Sequence, residues 1–264
     1  MKKSIALVTG GSKGIGQALC LRLALAGYQV FSASRSSKLD SEINDITQLT
    51  VDLSDGTATQ SFTREFIEHY GIPDILVNNA GYGAFFEWGE FPEEEINLQI
   101  QVLFSSPVQL CRAFAPAMAQ NGRGLILNLS SLASLYPLPY MPLYNAGKSA
   151  LSSFTESLTL EYPRYPKFID FRMGDVRTNF NASLSKQINL NENLNAAWKQ
   201  IDKQLKNSIC SEEGAAQIHQ CIQKMRSGTF YGGGFFHRVV LPKINFILSN
   251  SIKSHLIKKW YNLL

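Results

Sequence analysis

The sequence has few of the residues that build disulfide-linked or metal-bound scaffolds. It contains four cysteines and four histidines among 264 residues. They are Cys20, Cys111, Cys210, Cys221, His69, His219, His237 and His255. Because neither set shows bridge or ligand spacing, the sequence predicts no disulfide framework and no metal site. A reduced, cytosolic protein is therefore expected.

Long hydrophobic runs are also lacking. No stretch of 18 apolar residues occurs, so no transmembrane helix is expected. The apolar run over residues 5–8 is too short for a signal peptide. The net charge of +4 is mild, which suits an anionic small molecule and does not indicate nucleic acid. No repeat or linker divides the chain, so one domain over residues 1–264 is expected.

Short apolar segments instead alternate with segments of helical period. The strand candidates are residues 4–9, 29–34, 48–51, 74–77, 125–129, 168–172 and 229–231. The helix candidates are residues 14–26, 57–70, 93–120, 144–162 and 212–225. This alternation predicts an α/β protein with a doubly wound parallel sheet and helices on both faces, in three layers.

Glycines cluster directly after the first predicted strand. The run Thr9-Gly10-Gly11-Ser12-Lys13-Gly14-Ile15-Gly16 opens the first predicted helix. Glycines allow the backbone to approach a pyrophosphate, and a helix N-terminus attracts the anion. Such a run by itself is as often an ordinary turn, but its place between strand and helix favours a dinucleotide site.

The second predicted strand ends at Ser34 and is followed by Arg35. An NAD site usually has an acid here, whereas a guanidinium suits the 2′-phosphate of NADP. Lys13 in the glycine turn offers a second positive charge. Together they predict a preference for NADP(H) over NAD(H). The alternative is that both are solvated surface charges.

Polar residues follow the third and fourth predicted strands, as Asp52-Leu53 and Asn78-Asn79-Ala80-Gly81. Ligands bind at the carboxyl ends of such strands, and Asp52 is a candidate acceptor for an adenine amino group. Taken alone, Asp52 could instead cap a helix, and the asparagines could satisfy their own turn.

Tyr144 and Lys148 lie four residues apart, and Ser131 lies thirteen positions before the tyrosine. In a helix the pair shares one face. A phenol beside an ammonium is a proton donor with a lowered pKa. The alternative is an exposed helix pair and a loop hydroxyl.

Taken in order, these segments resemble the short-chain dehydrogenase/reductase family in its classical type. The resemblance covers residues 4–180 and, more loosely, the chain up to residue 232. It rests on Thr9-Gly10-x-x-x-Gly14-Ile15-Gly16, Asp52-Leu53, Asn78-Asn79-Ala80-Gly81, Ser131, Tyr144-x-x-x-Lys148 and Gly174-x-Val176-x-Thr178. It implies a Rossmann-type fold with a seven-stranded parallel sheet. It also implies hydride transfer between NAD(P)H and a carbonyl or alcohol.

The resemblance also implies roles for single residues. Tyr144 would act as general acid, Lys148 would lower its pKa and hold the nicotinamide ribose, and Ser131 would hydrogen-bond the carbonyl oxygen. The nicotinamide would be held by Gly174, Val176 and Thr178, and the phosphates by Ser12, Lys13, Gly14 and Ile15. Family members form dimers or tetramers through the helices that correspond to residues 93–120 and 144–162.

Two positions depart from the family pattern. Leu103 stands where many members carry a catalytic asparagine, and Met173 stands where a proline usually precedes Gly174. Because leucine cannot hydrogen-bond the water that leads protons to Lys148, the proton relay is in doubt. A second hypothesis is therefore an NADPH-binding regulator or scaffold with weak catalysis.

Aromatic and apolar residues predict a hydrophobic substrate, of lipid-like or ketoacyl type. The expected pocket lies between residues 131–144 and a polar insertion over residues 181–207. Its expected lining is Tyr82, Phe85, Phe86, Leu132, Tyr136, Leu138, Tyr140 and Phe180. Some of these could equally be core or subunit contacts.

The tail over residues 240–264 mixes apolar residues at helical spacing with Lys243, Lys253, Lys258 and Lys259. Either it packs on the domain or a partner subunit, or it contacts an anionic membrane surface from the cytoplasmic side.

Overall fold

A computed structural model describes residues 3–36, 45–178, 184–188 and 191–263. Its strands are β1 (Ile5–Thr9), β2 (Gln29–Ser34), β3 (Ile46–Thr50), β4 (Ile75–Asn78), β5 (Ala84–Phe85), β6 (Leu125–Ser131), β7 (Lys167–Met173), β8 (Val176–Arg177), β9 (Ser185–Lys186), β10 (Ile209–Cys210) and β11 (Gly228–Gly232). Its α-helices are α1 (Gly14–Leu25), α2 (Gly56–Tyr70), α3 (Glu93–Ile100), α4 (Ser106–Gln120), α5 (Pro142–Glu161), α6 (Glu192–Lys206), α7 (Ser211–Gln223), α8 (Leu241–Asn245) and α9 (Asn250–Trp260).

Seven strands form one parallel sheet in the order β11-β7-β6-β4-β1-β2-β3. The predicted fold is confirmed: a Rossmann-type, doubly wound parallel sheet forms the middle of three layers, with helices on both faces. The chain leaves β1 for β2 and β3 on one side, and later adds β4, β6, β7 and β11 on the other. The order therefore reverses between β1 and β4, where such sheets bind ligands at the strand carboxyl ends.

Each face of the sheet packs against its own hydrophobic cluster. Along β1, Ala6 and Val8 point into a cluster that includes α1 and α7, whereas Ile5 and Leu7 point into one that includes α2 and α4. Side chains of a strand alternate between faces, so a fully apolar strand needs cover on both. This double burial explains why the central strands read as continuous apolar runs rather than as alternating ones.

The predicted helix over residues 93–120 is interrupted, which corrects the sequence prediction. A π-helical turn over Gln101–Ser105 separates α3 from α4. Pro107 in the first turn of α4 has no N–H, and its ring crowds the carbonyl four residues earlier, which is that of Leu103. A π turn accommodates this conflict. As a result, Leu103 lies inside the irregular turn.

The insertion over residues 181–207 and the tail over residues 240–264 both contain helices in their described parts. Within the insertion over residues 181–207, residues 181–183 and 189–190 lie outside the described part of the chain. The rest holds β9 and α6, which is capped by Asn191 accepting from the Leu194 amide. The tail forms a π turn at Phe236–Val240, followed by α8 and α9. Among the described residues, no helix has both the length and the apolar character to cross a membrane.

Candidate active site

A cavity of about 1590 Å³ opens at the carboxyl end of the sheet. It exceeds the roughly 300–1,000 Å³ of an ordinary small-molecule pocket, so it has room for a dinucleotide and a second ligand. All predicted cofactor residues line it: Gly10, Ser12, Lys13, Gly14, Ile15, Gly16, Ser34, Arg35, Asp52, Leu53, Asn79, Ala80, Gly81, Tyr144, Lys148, Gly174, Val176 and Thr178. The third predicted catalytic residue, Ser131, lines it as well.

The glycine turn lies tightly against the end of β4. Gly10 and Gly14 have φ angles of 66° and 56°, a region that favours glycine. A Cβ on Gly16 would lie 2.2 Å from the Gly10 carbonyl oxygen, and a Cβ on Gly10 would lie 2.8 Å from the Cα of Ala80. Lys13 at the N-cap provides no side-chain cap, so the first amides of α1 remain available for an anion. This cradle fits a pyrophosphate.

Asn79 and Thr9 fix the turn to the neighbouring strand. The Asn79 amide nitrogen Nδ2 donates to the carbonyls of Thr9 at 2.8 Å and Gly10 at 3.1 Å. The Thr9 hydroxyl oxygen accepts from the Asn79 and Ala80 backbone amides, both at 3.1 Å. Asn79 therefore holds the glycine turn in place, besides lining the cavity.

The residues after β2 and β3 form the opposite end of the cavity. Asp52 Oδ1 accepts from the Ser54 amide at 2.9 Å and from its hydroxyl at 2.7 Å. Partial burial would raise the pKa of Asp52, but the Ser54 hydrogen bonds and the Arg35 charge outweigh it and lower the pKa. Asp52 thus shapes its own turn and lies within the field of Arg35, whereas the helix cap considered for it from the sequence is provided at α2 by Asp55.

Ser131 and Tyr144 meet in the middle of the cavity. Ser131 ends β6, Tyr144 lies in the first turns of α5, and their side chains are hydrogen-bonded. Burial raises the pKa of Tyr144, the Ser131 hydrogen bond lowers it, and the charge of Asp175 raises it further. The net direction is upward, so Tyr144 stays protonated and able to donate.

Lys148 lies one helical turn beyond Tyr144 and is buried. Its ammonium donates to the Leu129 carbonyl at 2.6 Å and lies 6.0 Å from the centre of the Tyr144 ring. Burial lowers the pKa of Lys148 to about 8, against the opposing charge of Asp170. Burial of the phenol dominates the pKa of Tyr144, and the role of Lys148 in lowering that pKa stays a prediction.

Leu103 is fully buried beside this lysine. A Cβ on Gly147 would lie 2.8 Å from the Leu103 Cβ. A Cβ on Gly81 would lie 3.2 Å from Leu103 Cδ2 and 3.5 Å from Lys148 Nζ. Leu103 therefore fills the space next to the ammonium with methyl groups. One turn earlier, the buried amide of Gln99 makes no hydrogen bond to the described residues.

The segment after β7 closes the cavity near Tyr144. A side chain on Gly14 would contact Thr178 at 3.5 Å, so this segment reaches the glycine turn. The Gly174 amide donates to the Gly232 carbonyl at 3.0 Å, and Met173 pairs with Gly232 in the sheet. These contacts hold the turn at Met173-Gly174, where family members usually carry a proline.

Two polar side chains here were not predicted from the sequence. Asp175 and His237 both line the cavity, with Oδ2 and Nε2 3.5 Å apart. Asp175 could have been noticed because it lies inside the motif Gly174-x-Val176. His237 had no signal in the sequence, because its place depends on the packing of the tail against Gly174, whose Cβ would meet the His237 Cβ at 2.7 Å.

The substrate side of the cavity agrees only partly with its predicted lining. Tyr82, Leu132, Tyr136 and Leu138 line the cavity. The predicted lining by Phe85, Phe86 and Tyr140 is wrong, because these rings pack into two side clusters instead. Phe180 lies outside the described residues.

The tail supplies the rest of the apolar wall. Its lining residues are Leu241, Ile244, Leu248, Leu256, Ile257, Trp260 and Tyr261. The Tyr136 hydroxyl donates to the Leu241 carbonyl at 2.8 Å, which attaches the tail to the loop after Ser131. One face of the tail therefore packs on the domain. Phe246 and Ile247, between α8 and α9, are 84% and 82% exposed.

Comparison with known proteins places this site in a family. The family model described as short chain dehydrogenase matches residues 4–189. The chain belongs to the short-chain dehydrogenase/reductase family. Members are oxidoreductases that bind nicotinamide cofactors, and no group of three or more potential metal ligands occurs within the described ranges.

Three similar proteins illustrate the range of the family. A 3-ketodihydrosphingosine reductase of Bacteroides thetaiotaomicron is 30% identical over 231 residues, which cover 85% of each chain. A short-chain dehydrogenase from Sphingobium yanoikuyae in complex with NADPH has a TM-score of 0.75 at 20% identity and covers 97% of this chain and 95% of its own. A Burkholderia phymatum family member in complex with NAD has a TM-score of 0.77 at 22% identity and covers 92% of each chain. The last two similarities establish the fold.

Proposed function

We propose that the protein is an NADP(H)-dependent oxidoreductase that interconverts a carbonyl and an alcohol on an apolar, lipid-like or ketoacyl substrate. The observation that carries the proposal is the hydrogen-bonded pair Ser131–Tyr144, which shares one cavity with Lys148 and the glycine turn. A proton donor and a dinucleotide cradle in one cavity are the parts that carbonyl reduction needs.

The residues divide the reaction between them. The bound nicotinamide would supply or accept the hydride at the carbonyl carbon. Tyr144 donates its phenolic proton to the carbonyl oxygen, and Ser131 donates a hydrogen bond to the same oxygen as negative charge develops. Lys148 would bind the nicotinamide ribose from the buried side, and Gly174, Val176 and Thr178 would position the ring. In alcohol oxidation the same proton returns to the Tyr144 oxygen.

The preference for NADP(H) is supported by two cations at the adenosine end of the cavity. Arg35 and Lys13 both line it, and the field of Arg35 reaches Asp52 and Tyr82. A guanidinium at the end of β2 matches a 2′-phosphate in charge and geometry. The substrate class is supported by the apolar wall that the tail builds and by the activity named for the Bacteroides relative.

The assignment of Tyr144 is tested by Tyr144→Phe. This change keeps the ring and removes the proton donor, so NADPH oxidation over a panel of apolar ketones should fall by at least about 100-fold. NADPH binding, measured by fluorescence, should remain. Tyr140→Phe is the matched control, because Tyr140 is not among the residues that line the cavity. Unchanged turnover in Tyr144→Phe would refute the mechanism.

A second candidate function is an NADPH-binding regulator or scaffold with weak catalysis. It is favoured by Leu103, whose methyl groups occupy the space beside Lys148. Tight NADPH binding with no turnover on any ketone or alcohol would support this candidate. Turnover of one substrate at ordinary enzymatic rates, about 1 s⁻¹ or more, would exclude it.

We also propose that the protein is cytoplasmic and contacts a membrane from its inner face through the tail. Exposed Phe246 and Ile247 lie close in sequence to exposed Lys243, and an apolar surface with an adjacent cation fits an anionic bilayer. Ile247→Asp should weaken co-sedimentation with anionic vesicles. The control is Leu25→Asp, which adds the same charge at a residue that is 81% exposed on α1. Equal sedimentation of the two variants would contradict the proposal.

The quaternary structure is proposed from the family. The helices α4 and α5 would form a homodimer or homotetramer, and light scattering after gel filtration measures the mass directly.

A further inference from the structure

Asp175 occupies a distinctive place in the cavity. Its charge acts on the Tyr144 hydroxyl and also on the Tyr261 hydroxyl, which belongs to the wall that the tail builds. The carboxylate lines the same cavity as the proton donor and the apolar wall of the tail, and lies within electrostatic range of both. A substrate whose carbonyl reaches Tyr144 would place its neighbouring atoms next to Asp175.

The other acidic residues that line the described cavity lie elsewhere. Asp52 is engaged by Ser54 and by the field of Arg35. Glu95 accepts from the Tyr82 hydroxyl at 2.8 Å, in the same region. Neither is among the charges that act on Tyr144. Among the described residues that line the cavity, Asp175 is thus the acidic group that acts on the Tyr144 hydroxyl.

Asp175 is a partly buried carboxylate, 29% exposed, with a weak charged partner among the described residues. Burial raises its pKa, and His237 opposes this from 3.5 Å, beyond the distance of a good charged hydrogen bond. A carboxylate that is already partly removed from water and has one weak partner gains more from binding a cation than a fully solvated carboxylate does. The reason is that folding has already removed part of its hydration, so binding costs less desolvation.

We propose that Asp175, with His237 beside it, binds an ammonium group that the substrate carries next to its reacting carbonyl. The substrates would then be long-chain amino ketones, or the corresponding amino alcohols in the reverse direction. The apolar wall would hold the alkyl chain, and His237 would accept or donate a hydrogen bond to a further polar group at the same end of the substrate.

Such a ligand would also favour the chemistry. The charge of Asp175 raises the pKa of Tyr144 and makes proton donation harder. An ammonium bound to Asp175 neutralises that charge close to the phenol. The substrate itself would therefore lower the pKa of Tyr144 and make proton donation easier. An amino ketone would therefore gain in kcat as well as in KM, whereas a neutral ketone would meet the uncompensated carboxylate.

This inference rests on the proposed carbonyl reduction, and its test uses a matched pair of substrates. One is a long-chain 2-amino-3-ketone, and the other is the same ketone without the amino group. The wild-type protein and Asp175→Asn are compared by NADPH oxidation, with Glu68→Gln on α2 as a control for the loss of one negative charge at an exposed site. Thermal melting verifies that the variants fold.

The preference for the amino ketone, as a ratio of kcat/KM values, should fall roughly 10- to 100-fold in Asp175→Asn, the range expected for a lost charged hydrogen bond. Glu68→Gln should keep the wild-type ratio. A proportional loss for both ketones in Asp175→Asn would overturn the inference, because a structural role alone would produce it. A wild-type protein that reduces the plain ketone without preferring the amino ketone would overturn the inference and leave the proposed function standing.

Equilibrium binding tests whether Asp175 binds an ammonium group, without requiring turnover. A saturated long-chain primary amine and the alcohol of equal length are titrated into the NADPH-loaded protein by calorimetry. The amine should bind at least about 10-fold more tightly, and Asp175→Asn should abolish that difference. Equal affinity of the wild-type protein for both compounds would overturn the inference. Amine selectivity without reduction of any ketone would support the site and count against the proposed function.

Discussion

Leu103 occupies its position because the facing residue on α5 is a glycine. The two backbones approach so closely that a Cβ on Gly147 would meet the Leu103 Cβ at 2.8 Å. Real Cβ atoms do not approach so closely, so one helix would have to move. The same approach presses the Leu103 side chain toward Lys148. A single glycine therefore decides what surrounds the Lys148 ammonium.

Gly147→Ala should destabilise the protein by about 1–3 kcal/mol through overpacking. In the background of Leu103→Gly the same change should be neutral or stabilising by up to about 1 kcal/mol, since alanine is the better helix former. Urea denaturation of the four proteins of this cycle measures both values. Gly214→Ala in α7 is the control, because its new Cβ would meet ordinary contacts of 3.5 Å and beyond. Additive effects of the two changes would show that Leu103 is not the obstacle.

The lowered pKa of Lys148 predicts a pH dependence. An ordinary lysine has a pKa near 10.5, whereas burial lowers that of Lys148 to about 8. The ammonium is present below this pH and is lost above it, so kcat/KM for NADPH should fall as the pH rises past about 8. Tyr144 does not produce this limb, because its pKa is shifted upward.

Lys148→Arg tests that assignment. An arginine stays protonated throughout, so any activity that remains should lose the descending limb near pH 8. Initial rates of NADPH oxidation between pH 6 and 10 provide kcat/KM for both proteins. A limb that stays at the same pH in Lys148→Arg would assign it to another group.

At the scale of elements, the π turn over residues 101–105 is the feature that shapes the site. Its cause is local: Pro107 lacks an N–H and crowds the Leu103 carbonyl. Its effect is not local, since the extra residue in the turn changes which side chains face α5. A sequence of helical period gives no sign of this change, which is why residues 93–120 were predicted as one continuous helix.

Pro107→Ala should convert the π turn into α-helix, because the new N–H can bond the Leu103 carbonyl. The π turn contains one residue more than a turn of α-helix. Its conversion to α-helix therefore shifts the register by one residue and rotates the preceding side chains by about 100°, the angle of one residue in an α-helix. Leu103 should then leave Lys148, and a crystal structure of the variant would show it. Pro116→Ala in the same helix should leave the turn unchanged. A π turn that persists in Pro107→Ala would mean that packing against α5 causes it.

At the scale of the whole molecule, the cofactor end of the cavity joins parts that are far apart in sequence. The glycine turn, Arg35, Asp52 and Asn79 follow four different strands, and the sheet order brings them to one edge. Binding of a dinucleotide across this edge would therefore stabilise the fold as a unit, because the unfolded chain has no such site.

NADPH at 100 times its Kd should stabilise the protein by about 2.7 kcal/mol. For a chain of this size that corresponds to a rise in Tm of roughly 5–10 °C. NADH at the same concentration should give a smaller rise, and Arg35→Ala should remove the difference between the two cofactors. Arg64→Ala on the exposed face of α2 is the control. An equal rise with NADH in the wild-type protein would disprove the NADP(H) preference.

The order of strands and helices, the glycine turn and the Ser131–Tyr144–Lys148 set were predictable from the sequence alone. Each depends on local chemistry: strands buried on both faces must be apolar throughout, a pyrophosphate cradle needs glycines, and a helical pair needs a spacing of four. The boundaries of most elements differ from the predictions by one or two residues, as expected from fraying helix ends.

Only the tertiary structure decided what surrounds that set. The π turn directs Leu103 to Lys148, burial sets the directions of the Tyr144 and Lys148 pKa shifts, and the folded tail brings His237 to Asp175. Phe85 and Phe86 belong to side clusters for the same reason. Desolvation, close packing and long-range contacts depend on residues distant in the chain, so no local pattern contains them. The sequence determined the residues of the proposed proton donor and cofactor cradle, and the fold decided which charges surround them.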